Sequence, residues 1–366
     1  MTLPYVDMVI AVHDRNRPIQ RAAASLLASG LDVDRELRVT IVCHNVGTDE
    51  IGGVLDDTVR SKVRLVAFAD GIPSPAGPFM HGITMATAEY VGIMGSDDFL
   101  EPGALAAWLH MVRDRRLVAL IPPLRHASGP VIATPLPRPG RVAPLHPVKD
   151  RLAYRAAPLG LLQRDAVDRL GLTMPTDLRS GEDQLFGLKL WFSRERIGYG
   201  RGLPHYVIGD DAATRVTLSI RTVAEDFRAI DGIIESEWFT ALPIEDRRSI
   251  AVKTLRVHVF SAVLTRTMHD ALTRDDRLEL RALILRLREA APRFDRPLSV
   301  SERRLAEALV DAETPFDELR RLVTVLSRYR DPASFFTANI GALFAVDAPL
   351  RRAFAARSLR RSSRKP

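Results

Sequence analysis

Apolar and polar positions follow two different rhythms along this chain. In the first half, short apolar runs at Val6–Val12, Leu37–Val42, Val63–Phe68, Tyr90–Met94 and Leu117–Ile121 are separated by segments of helical spacing at Ile19–Leu27, Gly77–Ala88 and Leu105–Val112. Runs this short and this apolar read as buried strands. Strands alternating with helices predict an α/β domain with a doubly wound, mostly parallel sheet. Ligands of such sheets lie beyond the carboxyl ends of the strands, so the residues after each apolar run are the first candidates for function.

Residues 122–160 break the rhythm with many prolines and predict a long loop region with one hairpin, of the sort that shapes an acceptor pocket. A helical pattern resumes at Leu161 and again over Asp183–Phe192, and a short strand is expected at Tyr206–Ile208. From about Leu218 strand runs vanish. Helices are predicted over 219–239, 245–267, 275–290, 299–312, 314–328 and 332–345, with a capping box at Ser299–Glu302 and a cap at Thr314 followed by Asp317. The expected organisation is a catalytic domain over 1–218, an all-helical C-terminal domain over 219–350 and a basic tail over 351–366.

Composition narrows the class. With 46% hydrophobic and 27% charged residues the chain is globular rather than disordered. The single cysteine, Cys43, excludes an internal disulfide framework or a Cys-based zinc cluster. The N-terminus reads as a strand rather than a signal peptide, and no apolar stretch reaches eighteen residues, so a cytoplasmic location is expected. The net charge of +7 suggests a nucleic-acid partner until it is located. The tail carries seven cations and no acid, and 45 cations remain against 45 acids elsewhere. The body is therefore neutral and lacks the basic-aromatic interleaving of a nucleic-acid binder. Such a tail suits peripheral contact with an anionic membrane, here the inner face of the plasma membrane, or with an anionic polymer.

Three loops carry candidate chemistry. Val12-His13-Asp14-Arg15 leaves the first strand just before a helix, where backbone N–H groups can meet an anion or a base edge. Gly95-Ser96-Asp97-Asp98 follows the fourth strand. Adjacent carboxylates repel, and a hard divalent cation such as Mg²⁺ or Mn²⁺ relieves that repulsion, although either acid also suits a helix cap. Gly181-Glu182-Asp183-Gln184 opens an amphipathic helix. Its dipole favours negative charge there, and a carboxylate so placed can serve as a general base.

Taken together, VDMVIAVHDR, GSDDFLEPGAL about eighty residues later and GEDQLFGLKLW about eighty-five further on resemble the family 2 glycosyltransferases of GT-A fold, over roughly residues 4–220. The resemblance implies an inverting, metal-dependent transfer from a nucleotide-sugar, UDP-linked, to the hydroxyl of a cell-envelope glycan or other acceptor. It implies Asp183 as the base with Glu182 beside it, and Asp97 as the metal-binding acid. Val12, His13, Arg15 and Ser96 would contact the donor. His44 and Asn45 stand where two acids are usual, and Asp70 could replace them at the base. In the closing loop, Asp211 and His205 compete for the metal, and Arg215 and Thr217 are candidates for the phosphates. Gly95 stands where the first acid of the metal motif is usual, and Phe79-Met80 replace an Arg-Asn pair. No Gln-x-x-Arg-Trp follows Asp183, which argues against a processive membrane synthase.

Two other readings stand beside this one. A nucleotidyltransferase would bring an early glycine-rich phosphate loop, and none is present. A nucleotide-sugar or glycan-binding protein that has lost turnover draws support from the departures at Gly95, His44 and Phe79-Met80. The helical region lies outside the resemblance and is expected to bind acceptor, dock a partner or form a homo-oligomer.

Overall fold

The structure is a computed structural model, and it describes residues 3–33, 35–178, 180–210, 222–327 and 331–362. In the first half the elements run β1 (Val6–Val12), α1 (Ile19–Leu27), β2 (Leu37–His44), α2 (Thr48–Gly52), α3 (Asp57–Arg60), β3 (Arg64–Phe68), α4 (Ala76–Met85), β4 (Tyr90–Gly95), β5 (Phe99–Leu100), α5 (Ala104–Asp114) and β6 (Ala119–Ile121). There follow β7 (Leu124–His126), β8 (Val131–Ile132), β9 (Leu161–Gln163), α6 (Arg164–Arg169), α7 (Glu182–Phe192), β10 (Ile197–Tyr199) and β11 (Tyr206–Ile208).

Among the described residues, seven strands form one sheet of order β10-β6-β9-β4-β1-β2-β3. The β1–β2, β1–β4, β2–β3 and β6–β10 pairs are parallel, and only β9 runs antiparallel to its neighbours. The sheet is the mostly parallel one that the apolar runs predict. β1 lies in its interior, between β4 and β2, and every residue of it but Ala11 is buried, as expected for a strand covered on both faces. One buried residue of β1 is charged. Asp7 accepts two hydrogen bonds from Arg38 (2.6 and 2.5 Å) and the N–H groups of Thr87 and Ala88 (2.7 and 3.0 Å), so its charge is satisfied while it ties β2 and the approach to β4 to β1. A smaller sheet, β5-β11-β7-β8, contains the hairpin expected within the proline-rich region.

The described residues divide into two compact units, and the boundaries at 218 and 350 miss two features of the division. His146–Tyr154 belongs to the second, helical unit. The reason is Arg151, only 2% exposed, whose guanidinium donates to the Val346 carbonyl and lies 3.9 Å from the Asp347 carboxylate. The proline-rich stretch therefore contributes to two bodies rather than serving as one pocket-forming loop. The second feature is the C-terminus, where Pro349–Ser362 forms a single helix with Ala355 and Leu359 buried, so the basic segment is not a loose tail over those residues.

The helical unit contains α8 (Val223–Glu235), α9 (Glu237–Ala241), α10 (Ile244–Lys253), α11 (Phe260–Met268), α12 (Arg274–Ala290), α13 (Val300–Val310), α14 (Phe316–Ser327) and the start of α15 (Pro349–Ser362). Ser299 and Glu302 form the capping box expected from the sequence. The helix expected over 245–267 is one continuous run in which a turn of π-helix, Thr254–Val259, joins α10 to α11. Two expectations fail. Leu161 begins a strand, because Leu161 and Leu162 pair with β4 and β6 before α6 starts directly after Gln163. Residues 332–345 hold only two short 3₁₀ turns. There side chains compete with the helical ladder for the backbone. Asn339 accepts the Gly341 N–H (3.0 Å) and Thr337 donates to the Asn339 carbonyl (2.7 Å), so side-chain bonds replace helical ones.

Candidate active site

The parallel strands β1, β2 and β4 end side by side, and their following loops enclose a cleft of about 430 Å³. Its walls include Val12 and His13 after β1, His44 and Asn45 after β2, and Gly95, Ser96 and Asp97 after β4, with Pro73, Pro75, Pro78 and Phe79 forming an apolar side. Six sequence candidates thus converge here: Val12, His13, His44, Asn45, Ser96 and Asp97. His13 is exposed at the rim. Partial desolvation first, then the charge of Arg17, hold its pKa below the usual histidine value.

A seventh candidate joins through hydrogen bonds. The register of β2 with β3 places His44 opposite Phe68, which brings Asp70 to the end of β2. The His44 Nε2 lies 2.8 Å from Asp70 Oδ1, and the Ile72 N–H donates to the same oxygen (2.9 Å). Desolvation opposes the charge on Asp70, but these bonds outweigh it and lower its pKa. Asn45, in the left-handed region at φ 55°, accepts the Gly71 N–H at 3.0 Å. Asp70 therefore remains a carboxylate, an acceptor without a proton to donate.

The other end of the cleft is organised by a residue the sequence reading missed. Arg17 Nη2 lies 2.7 Å from Asp97 Oδ1 and its Nε donates to the Ser96 hydroxyl (3.1 Å). Asp14 turns the chain, accepting the Arg17 N–H at its carbonyl (3.1 Å) and the Asn16 N–H at its carboxylate (2.9 Å), so residue 17 points back to the sheet. Arg15, the expected donor contact, is exposed and not on the cleft wall. The available signal was Arg17's place directly before Pro18, where a helix starts.

Asp97 and Asp98 have parted roles. Asp98 accepts the Tyr206 hydroxyl (2.5 Å) and the Gly209 N–H (3.0 Å), and burial, only partly offset by these bonds, raises its pKa. Its carboxylate folds back over Gly95, where an added Cβ would come within 2.7 Å of Asp98 Oδ2. Gly95 thus leaves room for the neighbouring acid, which explains the missing first carboxylate of the motif. Gly209 approaches so closely that a Cβ would lie 1.9 Å from the Asp97 carbonyl oxygen. Together these contacts lock β11 to the end of β4 and leave Asp97 facing the cleft.

Asp183 and Glu182 occupy the first turn of α7, after Gly181 at φ 80°. The helix is seated by Trp191, whose Nε1 donates to the Arg155 carbonyl (2.7 Å). Neither acid is among the cleft walls. His205 is turned to Glu101, with its ring Nδ1 2.9 Å from Oε2 and its backbone N–H 2.7 Å from the same oxygen. Glu101 also pairs with Arg125 at 2.8 Å. Asp211, Arg215 and Thr217 lie outside the described residues. Among the described residues no three His, Cys, Asp or Glu side chains converge as a metal site. The chemistry that fits a divalent cation is one carboxylate, Asp97, and one of its oxygens already meets Arg17.

No family model matches the chain. The poly(ribitol-phosphate) beta-glucosyltransferase of Bacillus spizizenii is 21% identical over 247 residues, covering 67% of this chain and 38% of that protein. The poly(ribitol-phosphate) beta-N-acetylglucosaminyltransferase TarP of Staphylococcus aureus is 20% identical over 236 residues, covering 62% and 72%. The chain thus spans well under half of the first relative and most of the second. The crystal structure of S. aureus TarS 1–349 in complex with UDP-GlcNAc superposes with a TM-score of 0.69 at 15% identity, over 88% of this chain and 91% of that one. In fold the chain is of the GT-A type, and in sequence it is similar, at 20–21% identity, to two poly(ribitol-phosphate) glycosyltransferases.

Proposed function

We propose that the chain transfers a sugar from a UDP-linked donor to a hydroxyl of a phosphate-containing cell-envelope polymer, with inversion at the anomeric carbon. The observation that carries this reading is the cleft at the ends of β1, β2 and β4, with His44, backed by the Asp70 carboxylate, on one wall and an Arg–Asp pair on another. The ionised Asp70 suits the N3–H of a uracil, whereas the N3 of a cytosine would present an acceptor to an acceptor. The prolines and Phe79 offer the ring an apolar wall. The Arg17 guanidinium is placed for the diphosphate, where it would offset charge on the departing group.

In the proposed reaction the acceptor oxygen bonds to the anomeric carbon as the bond to the diphosphate oxygen breaks, and the electron pair leaves with the nucleoside diphosphate. Asp183 takes the acceptor's proton. A bound Mn²⁺ or Mg²⁺ would supply further positive charge to the diphosphate, with Asp97 the residue to hold it. Transfer of labelled sugar from UDP-glucose or UDP-N-acetylglucosamine to poly(ribitol phosphate) tests the proposal. A protein that binds UDP with no transfer to any polymer would favour the second reading, a donor-binding protein without turnover. The glycine at position 95 and the pairing of Asp97 with Arg17 are what lend that reading weight.

Asp97→Asn is expected to weaken UDP binding in Mn²⁺ by about tenfold or more while the melting temperature stays within a few degrees, because the residue is at the cleft surface rather than in the core. Unchanged calorimetric affinity with and without Mn²⁺ would remove Asp97 from the donor site.

Peripheral attachment to the inner face of the plasma membrane is part of the same proposal. No helix of the described residues is long and apolar enough to cross a membrane. On α15, Arg351, Phe354 and Arg357 are spaced at intervals of three along one face, with Arg351 and Phe354 exposed, while Ala355 and Leu359 are buried. Removing the segment would strip buried residues, so the informative variant is Arg351→Gln with Arg357→Gln. Each basic residue near an anionic bilayer contributes about 1 kcal/mol, so the double variant should bind phosphatidylglycerol vesicles about thirtyfold more weakly at low salt. Equal cosedimentation of variant and parent would refute membrane contact through this helix.

A further inference from the structure

The helical unit encloses a second cavity, of about 270 Å³, that the transfer reaction does not use. Its lining combines an apolar floor of Val252, Phe294, Ala342 and Val346 with three arginines, Arg248, Arg293 and Arg296. Both walls are held in place by guanidinium groups. Arg247 donates to the Ala290 carbonyl (2.8 Å) and Arg248 to that of Pro292 (2.7 Å), which fixes the loop carrying Arg293 and Arg296. On the opposite wall Arg151 holds the Val346 carbonyl (3.0 Å) and Arg256 that of Asp347 (2.8 Å). The cavity is therefore formed before any ligand arrives, which lowers the ordering cost of binding.

The charges in it do not cancel. Glu245 is engaged by Arg248 (2.6 Å). Asp347 faces the buried Arg151 (3.9 Å), and Asp295, on the same loop as Arg293 and Arg296, is held by Arg303 (3.0 Å) and Arg288 (3.9 Å). Arg293 and Arg296 make no side-chain hydrogen bond or ion pair among the described residues. Arg293 is also held at φ 66°, in the left-handed region that is costly for any residue with a Cβ. Two buried oxygens of the lining have no hydrogen-bond partner among the described residues: the Ser249 hydroxyl, in a residue 2% exposed, which can donate to an anion, and Asp347 Oδ1, whose charge faces Arg151. Two cations without counter-ions and a buried hydroxyl without a partner, over an apolar floor, match an oxyanion carried on a carbon chain.

We propose that this cavity binds a phosphate of a phosphodiester-linked polyol, with Arg293 and Arg296 taking the anionic oxygens and the apolar floor taking the C–H face of the polyol. Its service as an acceptor site rests on the function proposed above, whereas the binding itself does not.

The test uses the full chain and a fluorescent glycerol-phosphate oligomer, a phosphodiester polyol without a nucleobase. Parent protein should bind it, and Arg293→Gln with Arg296→Gln should weaken binding about tenfold or more and flatten its salt dependence, since exposed charge pairs are screened by salt. Both residues are exposed, so the melting temperature should not change. Ser249→Ala, which removes only the buried hydroxyl, should weaken binding without altering the salt dependence. Equal affinity of parent and double variant would overturn the site. Inorganic phosphate competing as well as the oligomer, phosphate for phosphate, would overturn the polyol assignment. UDP binding measured on the same preparations keeps the two proposals apart: its absence from the parent would sink the transferase reading and leave the cavity's oligomer binding intact.

Discussion

Replacing Asp183 with asparagine is expected to lower sugar transfer by about 10²–10⁴-fold, the usual cost of losing a general base. Asparagine keeps the shape of the side chain and one acceptor oxygen but cannot take up a proton at neutral pH. Asp183 occupies the first turn of α7, where the helix dipole favours a negative charge. Glu182 beside it cannot share its direction, because successive helix residues do not face the same way. Donor affinity should survive, since the cleft walls come from the loops after β1, β2 and β4 and do not include Asp183. The measurement is transfer rate and UDP-sugar affinity on one preparation. Near-normal turnover would remove Asp183 from the chemistry, and a joint loss of affinity and turnover would make it a donor-site or structural residue.

The second large effect concerns stability of the helical unit. Arg256, in the π-helical turn, is 8% exposed and makes two hydrogen bonds to Glu302 (2.7 and 2.9 Å), with further bonds to the Asp347 and Pro297 carbonyls (2.8 and 3.2 Å) and the Tyr154 hydroxyl (3.2 Å). Arg256→Met should cost about 3–5 kcal/mol, because it leaves the Glu302 carboxylate buried without its counter-ion. Adding Glu302→Gln should recover part of the loss, which a purely steric defect would not allow. Burial alone would raise the pKa of Glu302, but Arg256 and the Ser299 N–H outweigh it and lower the pKa below the ordinary glutamate value. The sign follows from linkage: a depressed folded-state pKa stabilises above the unfolded value of about 4.3 and is lost as pH falls through the folded value. Urea unfolding of parent and variant should therefore converge in acid. A loss under about 1 kcal/mol at neutral pH would show that the network contributes little.

Much of the site was legible because its carriers are strand ends. A buried parallel strand is marked by an unbroken apolar run, and the residue after the run must reach the edge where ligands bind. Val12, His13, His44, Asn45, Ser96 and Asp97 were all found on that ground, with help from a familial order of motifs. Arg17 escaped because it lies several residues beyond its strand, and only the Asp14 turn returns it to the sheet. Arg15, closer in sequence, faces solvent. The Glu101 carboxylate that orients the ring of His205 lies 104 positions away, a contact that no local spacing records.

Local pattern by itself determined the five apolar strands and three longer helices up to Ile121, the helical character of the second half, the capping box at Ser299 and the absence of a basic body. Those features depend on periodicity and on bonds made within a few residues, which the order of amino acids states directly. The tertiary structure alone decided the rest. It assigned His146–Tyr154 to the helical unit through the buried Arg151, turned Leu161–Gln163 into a strand by offering it partners on two sides, and divided the roles of Asp97 and Asp98 through Tyr206 and Gly209. It also left Arg293 and Arg296 without counter-ions among the described residues, beside a cavity. Each of these outcomes rests on burial and pairing between distant segments, and their free energies exist only once the chain has closed on itself.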